Sequence, residues 1–142
     1  MRRSTRSQEA RRTAWPHRER GSTTLEIAVI FPAVLAIMFL VIEGALWYQA
    51  RNIALAAAEE GVRVATGDGS SYNAGVNRAN AFAHQAGAND MLSNITVTGA
   101  SGTEIVTITV EGTSLSLFGD TSWVAPRVSQ SASAPVERFT TD

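Results

Sequence analysis

What the sequence lacks narrows its chemistry before any motif is considered. Its 142 residues contain no Cys and only two His, and all twelve basic residues are Arg rather than Lys. Without Cys there can be no disulfide, no zinc–thiolate site and no thiol nucleophile. His17 and His84 form no metal-ligand or catalytic-triad pattern, and no glycine-rich phosphate loop precedes a helix. We therefore expect neither an enzyme nor a protein that binds a metal or cofactor.

One apolar stretch, residues 21–48, dominates what is present. Every residue from Ile27 to Ile42 is apolar or Pro. A helix rises about 1.5 Å per residue, so residues 25–48 would span roughly 36 Å against a hydrocarbon core of about 30 Å. Such a helix has no polar face to turn towards water, and we predict that it crosses the lipid bilayer once. Trp47 and Tyr48 near its end are typical of an aromatic interface anchor.

The charges are distributed unevenly about this stretch. Residues 1–20 carry seven Arg and two Glu, whereas residues 21–142 carry five Arg and eleven acidic residues. Because Arg next to a span keeps that end in the cytoplasm, we predict a cytoplasmic N-terminus and an extracytoplasmic C-terminal part. A basic arm can also bind nucleic acid, but the membrane explains this one fully and we expect no nucleic-acid partner. The pairs Arg2-Arg3 and Arg11-Arg12 allow a twin-arginine export signal, although any Arg-rich leader contains such pairs by chance.

The helix is expected to continue past the apolar stretch, from about residue 24 to residue 66. No helix breaker occurs before Gly67, and Ala is abundant. A stripe of apolar and small residues recurs every fourth position: Ile53, Ala57, Gly61 and Val64 or Ala65. The pair Glu59-Glu60 is expected on a solvated face of this helix.

A second helix and two or three strands should follow. Ser70 or Ser71 can cap a helix over residues 72–86 that stops at Gly87. Its expected apolar face consists of Val76, Ala79 and Phe82 or Ala83. The period then changes to two, which predicts a hairpin over residues 95–98 and 106–110. Residues 128–134 are a plausible third strand, and residues 114–123 form an ambiguous connection. The predicted fold class is therefore membrane-anchored α+β, with antiparallel strands packed against the helix.

Glu26 is the most informative polar residue. A carboxylate at the start of a span is costly, unless it merely lies at the membrane interface. Its neighbours suggest more, because an Arg20-Gly21 pair and small hydroxyl residues precede it. If the chain were cut after Gly21, the new ammonium group of Ser22 would lie one helical turn from Glu26, and the pair would lower the cost of burying either charge. In an assembly, the carboxylate could instead neutralise the N-terminus of a neighbouring copy and so set the axial register.

The sequence from Gly21 to Glu26, running directly into an apolar helix, resembles the class III signal of type IV prepilins. In those proteins a membrane peptidase cuts on the cytoplasmic side after the Gly, and the helix is retained. The chain is more similar still to the TadE-like pseudopilins of the Flp/Tad pilus system. The shared features are the pattern G-S-x-x-L/V-E-x-A, Pro32 six residues after the Glu, the Ala-rich residues 51–65 and the closing residues 134–137.

This resemblance implies a structural and interaction protein: a minor pilin or pseudopilin in a bacterial cell membrane, cut by a prepilin peptidase between Gly21 and Ser22. Glu26 would set the register and Pro32 would bend the helix or help it pack, although Pro is also tolerated in spans without a role. The implied partners are other pilins, the inner-membrane assembly platform, its secretion ATPase and the lipid bilayer. The implied domains are a leader (1–21), a transmembrane helix (22–48), its extracytoplasmic continuation (49–66) and a small α+β domain (67–142).

Two other interpretations stay open. The chain could be an uncleaved single-pass anchor for an extracytoplasmic binding module, in which case Glu26 would have no role. It could also be a secreted protein with a removable signal peptide, although the apolar run is longer than the usual 7–15 residues and small-residue cleavage candidates lie well past it. Glu43, near the outer end of the span, can reach lipid headgroups or contact a neighbouring protomer.

Overall fold

A computed structural model describes residues 20–87, 91–119 and 126–136, with side chains from residue 26 onward. The Arg-rich leader before residue 20, Trp123 and Glu137 lie outside the described residues. Contacts divide the chain into two units, Met1–Ile37 and Met38–Asp142. The described elements are α1 (Arg20–Ala65), α2 (Tyr72–Ala86), β1 (Leu92–Ser101), β2 (Ile105–Ser114) and β3 (Arg127–Pro135). The predicted α+β class, with a long N-terminal apolar helix, is confirmed.

In the first unit, α1 begins at Arg20, about four residues before the predicted start. No Pro separates Arg20 from the apolar run, so the helix extends back through the small residues. It also continues through Pro32, whose missing N–H leaves the carbonyl of Ala28 without its usual helical donor. Six large apolar side chains of this part are exposed, and Leu35 is half-buried; the exposed ones are Ile27, Val29, Ile30, Phe31, Val34 and Ile37.

In the second unit, the C-terminal part of α1 buries one narrow stripe. Its buried members are three adjacent pairs that recur every four positions, Ile53-Ala54, Ala57-Ala58 and Gly61-Val62, with Ala50 before them and Ala65 after them. The predicted stripe is confirmed, with Ala65 rather than Val64 as its last member. The helix ends at Ala65, ahead of a turn in which Gly69 has a positive φ of 68°.

α2 has the predicted bounds and a cap of the predicted kind. The Ser71 hydroxyl oxygen accepts a hydrogen bond from the Ala74 N–H at 3.2 Å. The buried residues are Gly75, Ala79 and Ala83, whereas Val76 is only half-buried. Ala79 and Ala83 are buried as predicted, and the first member of the buried face is shifted by one position, from the predicted Val76 to Gly75.

The reason for this shift is the close approach of α1 to α2. A Cβ atom added to Gly75 would lie 2.5 Å from the Ala65 Cβ and 2.6 Å from the Gly61 carbonyl oxygen. A Cβ atom added to Gly61 would lie 2.7 Å from the Ala79 Cβ and 2.9 Å from the Gly75 carbonyl oxygen. All four distances are shorter than non-bonded atoms tolerate, so the two glycines allow the helices to touch backbone to backbone.

The described strands form one antiparallel sheet in the order β1-β2-β3. The predicted hairpin and third strand are confirmed, but the connection after β1 is shorter than expected. β1 runs on to Ser101 because Gly99 still pairs with Ile108 of β2. A Cβ atom on Gly99 would lie 2.9 Å from the Tyr72 hydroxyl, so the α2 ring occupies the space of the missing side chain. Near the start of β1 the register shifts between Ser93 and Thr96.

The core of the second unit lies between this sheet and the two helices. On β2 the inward residues Val106, Ile108 and Val110 are buried, while the alternate threonines are half-buried on the other face. Among the described residues, Ile108 and Val110 are the largest side chains that are fully buried, and half of the buried apolar residues are Ala. A core made of such small side chains removes little apolar area from water, as expected for so short a domain.

Candidate functional site

The candidate site is the exposed apolar surface of α1. Among the described residues, the helical segment Glu26–Ala65 is long and apolar enough to cross a membrane, and none of its most apolar 18-residue window is buried. The burial pattern changes near the end of the apolar stretch. Trp47 and Tyr48 are exposed by 38% and 57%, whereas Ala50 is fully buried. The helix therefore passes, within one turn, from a lipid-compatible surface to a protein core.

The predicted processing and register residues lie on the part of α1 that belongs to the first unit. Gly21 and Ser22 are in the first helical turn, where backbone N–H groups have no intrahelical acceptor. Glu26 lies four residues after Ser22, one turn further along the same helix, and its side chain is exposed. Pro32 is also exposed. The roles of these residues, and of Trp47 and Tyr48 as anchors, stay predictions.

One contact of α1 was not predicted, and it involves the loop after β2. The Leu117 N–H donates a hydrogen bond to the Glu43 Oε2 atom at 3.1 Å. The neighbouring Phe118 ring packs edge-on against the Phe39 ring, with centroids 6.1 Å apart and an angle of 61°. The Glu43 Oε1 atom is buried and accepts no hydrogen bond from the described residues. Glu43, expected at the headgroups or at a protomer contact, thus holds a loop of its own chain.

A second unpredicted contact is an ionic cluster between α1 and α2. Arg78 of α2 donates from Nε and Nη2 to the Glu60 Oε1 atom at 2.9 and 2.8 Å. Arg63 forms an ion pair with the other carboxylate oxygen. The Glu60 side chain is only 13% exposed, so its placement on a solvated face was wrong. The placement was right for Glu59, which is exposed. The spacing of residues along one helix does not indicate which side chain of another helix they will contact.

The described residues offer no competing catalytic arrangement. His84 is exposed on α2. Within the described parts of the chain, no three His, Asp or Glu side chains come close enough to share a metal ion. Apart from the buried Ser114, the hydroxyl groups of β2 and β3 lie on the outer face of the sheet, where Thr107 and Ser133 hydrogen bond to each other at 2.8 Å. These contacts fit cross-strand pairing.

Comparison with known proteins agrees with the site on α1. Residues 21–63 match the family model described as TadE-like protein. No curated protein and no solved structure gives a significant match to the chain. The matched segment starts at Gly21 and ends at Arg63, so it covers the exposed apolar surface and most of the buried stripe. The family is pilin-related, and its role is structural rather than catalytic. Over residues 21–63 this chain is therefore similar to TadE-like proteins, and the matched segment contains the candidate membrane span.

Proposed function

We propose that the chain is a minor pilin or pseudopilin of a Flp/Tad pilus or a related secretion system, cut by a prepilin peptidase after Gly21. The observation that carries this proposal is where the family match begins. It starts at Gly21, five residues before Glu26, on the helix whose large apolar side chains are exposed. A segment of this kind suits a protein that is released from a leader and then packs its helix against other helices.

The position of Gly21 fits cleavage. It lies in the first turn of α1, which opens at little cost because its N–H groups make no intrahelical bonds. Glycine has no side chain to obstruct the approach of a peptidase to the backbone. Hydrolysis of the bond between Gly21 and Ser22 would leave a carboxylate on the leader and an ammonium group on Ser22.

Glu26 then has a defined electrostatic task. The N-terminal end of a helix carries a partial positive charge, so a new ammonium group at Ser22 is unfavourable there. Glu26, one turn away, offsets that charge within the same chain or across to the N-terminus of a neighbouring copy. In an apolar environment an unpaired charge costs far more than a paired one, so only alignments that pair the charges are stable. Glu26 would thus fix the axial register, and Pro32 would adjust how the helix bends or packs.

The membrane arrangement follows from the same proposal. Residues 1–21 form the cytoplasmic leader, 22–48 the transmembrane helix, 49–66 its extracytoplasmic continuation and 67–142 the small extracytoplasmic domain. The Arg-rich leader supports this orientation. The partners are the peptidase, other pilins and pseudopilins, the inner-membrane platform with its secretion ATPase, and the bilayer.

The test is the N-terminus of the membrane-bound protein, determined by mass spectrometry in cells that contain a prepilin peptidase. We expect the parent chain to start at Ser22 and the Gly21→Asp variant to keep its leader. Gly44→Ala is the matched control, because it changes a glycine of the same helix that has open space around it, and it should be cut like the parent. A full-length parent chain would contradict the proposal and favour the uncleaved anchored module.

A second arm of this experiment separates processing from assembly. Glu26→Ala should be cut after Gly21 and yet be lost from the pilus fraction, because it removes only the charge that sets the register. The control is Glu59→Ala, which removes an exposed carboxylate from the second unit. If both variants assembled like the parent, the proposed role of Glu26 would be wrong while the cleavage could still hold.

A further inference from the structure

The loop after β2 exposes apolar side chains in an unusual place. Outside α1, the described residues include three exposed large apolar side chains: Ile105 (56%), Leu117 (49%) and Phe118 (56%). Ile105 lies at the start of β2, whereas Leu117 and Phe118 are adjacent in the loop that contacts α1. Two neighbouring apolar side chains held against an apolar helix form one continuous surface with it.

This loop contacts α1 on the N-terminal side of Trp47 and Tyr48, the residues expected to anchor the helix at the membrane interface. Phe39, the ring against which Phe118 packs, belongs to the unbroken apolar run and is itself 43% exposed. Phe39, Glu43 and Trp47 follow one another at intervals of four and therefore lie on one face of the helix. Trp47 is two turns beyond Phe39, or about 12 Å along the helix axis. If Trp47 marks the membrane surface, Phe118 lies at the depth of the acyl chains.

The backbone N–H groups at the tip of the loop are paired, as an apolar lipid environment requires. A backbone N–H that enters lipid must be paired within the protein, whereas one in water need not be. The Leu117 N–H donates to Glu43, the Phe118 N–H donates to the Ser116 hydroxyl at 3.2 Å, and the Gly119 N–H donates to the Ser116 carbonyl at 3.3 Å. The tip of the loop thus directs apolar side chains outwards and pairs its N–H groups inwards.

We propose that residues Leu115–Gly119 are a second membrane contact, which inserts Leu117 and Phe118 into the bilayer beside α1. Glu43 supplies the acceptor that allows the backbone at Leu117 to enter lipid. The occupant of this surface is the acyl-chain region, because the surface is continuous with the apolar run that already requires lipid. The consequence is that the sheet domain is fixed against the bilayer at two points. This inference rests on the membrane anchoring of the chain and needs neither cleavage nor pilus assembly.

The absence of Cys makes the test direct, because a single introduced Cys can carry a spin label. The full-length chain is reconstituted in phosphatidylcholine–phosphatidylglycerol vesicles as Phe118→Cys or as the matched control Ile105→Cys, whose parent side chain is equally exposed. We expect the label at position 118 to collide mainly with oxygen dissolved in the bilayer. Its collision rate with a water-soluble nickel chelate should be several-fold lower than that of the label at position 105.

Two outcomes would overturn the proposal. One is equal chelate access at both positions, which would place the loop in water. The other is dipolar broadening between labels at position 118 on different chains, which would mean that a second copy of the protein covers the surface. Leu117→Cys repeats the measurement one residue away, so that a local disturbance by the label at position 118 cannot decide the result.

Glu43 gives an independent arm with its own control. Glu43→Leu removes the acceptor while making the helix more apolar, so the label at position 118 should move towards water even though total hydrophobicity rises. Glu43→Gln keeps an oxygen that can accept from Leu117 and should leave the label in lipid. If Glu43→Leu left the label as deep as in the parent, Glu43 would have no part in the insertion.

Discussion

The two halves of α1 differ in side-chain size as well as in polarity. Residues 26–48 are rich in large side chains such as Phe31 and Leu40, which are exposed by 60% and 69%. Residues 50–65 are rich in Ala, and Ala54 and Ala57 are fully buried. Large side chains gain little from lying near a second helix when lipid solvates them equally well. Small ones let α2 and the sheet approach, so the size of the side chain selects the partner.

The largest expected effect tests the first half of this comparison. Ile37→Arg places a charge near the middle of residues 25–48, which should cost about 2.5–3.5 kcal/mol of insertion free energy. We expect the insertion equilibrium, measured with glycosylation tags on either side of the segment, to shift by roughly a hundredfold. Asn52→Arg is the control, because Asn52 is exposed in the second half of α1. Equal shifts for both variants would contradict the division of the helix.

The next test replaces one glycine in each half of α1 by Ala, and the expected changes in stability are smaller and of opposite sign. Gly61→Ala introduces a Cβ that would lie 2.7 Å from the Ala79 Cβ and 2.9 Å from the Gly75 carbonyl oxygen. Overpacking of this kind costs about 1–3 kcal/mol, against a gain in helix propensity of about 1 kcal/mol. We therefore expect a lower free energy of unfolding in detergent, measured by chemical denaturation followed by circular dichroism.

Gly44→Ala is the counterpart in the first half of α1, where nothing lies within 4 Å of the added atom. It should raise the stability by up to about 1 kcal/mol, since only the propensity term remains. A loss of stability in Gly44→Ala, or a gain in Gly61→Ala, would show that the close approach of the two helices does not limit the side chain at position 61.

The smallest expected effect concerns the ion pair that joins the two helices. Glu60 is 13% exposed and Arg78 is 46% exposed, so solvent screens part of their attraction. A double-mutant cycle with Glu60→Ala and Arg78→Ala should give a coupling energy of about 0.5–1 kcal/mol, measured by the same denaturation experiment. The same cycle with Glu59 in place of Glu60 should give a coupling near zero. Equal couplings would mean that the pair contributes nothing specific to packing.

The sequence predicted well whatever depends on neighbours along the chain. Three local patterns were predicted in this way: the apolar run, the Ser71 cap of α2 and the alternation of β2. Each depends only on the spacing or hydrogen-bonding groups of residues close together in the sequence. The stripe from Ile53 to Ala65 was predicted for the same reason. The motif from Gly21 to Glu26 was recognised because it is contiguous, and the family match begins at the same residue.

What the sequence by itself determined is therefore the long apolar helix, the α+β order of elements and the similarity of residues 21–63 to TadE-like proteins, because each depends on composition and spacing over short stretches of the chain. Only the tertiary structure decided which residues join the elements. Arg78 reaches Glu60 across 18 positions, and Leu117 reaches Glu43 across 74. The choice of Gly75 over Val76 as the buried position depends on how closely α1 passes. Such contacts depend on where separate segments meet in space, which no local period along the chain records.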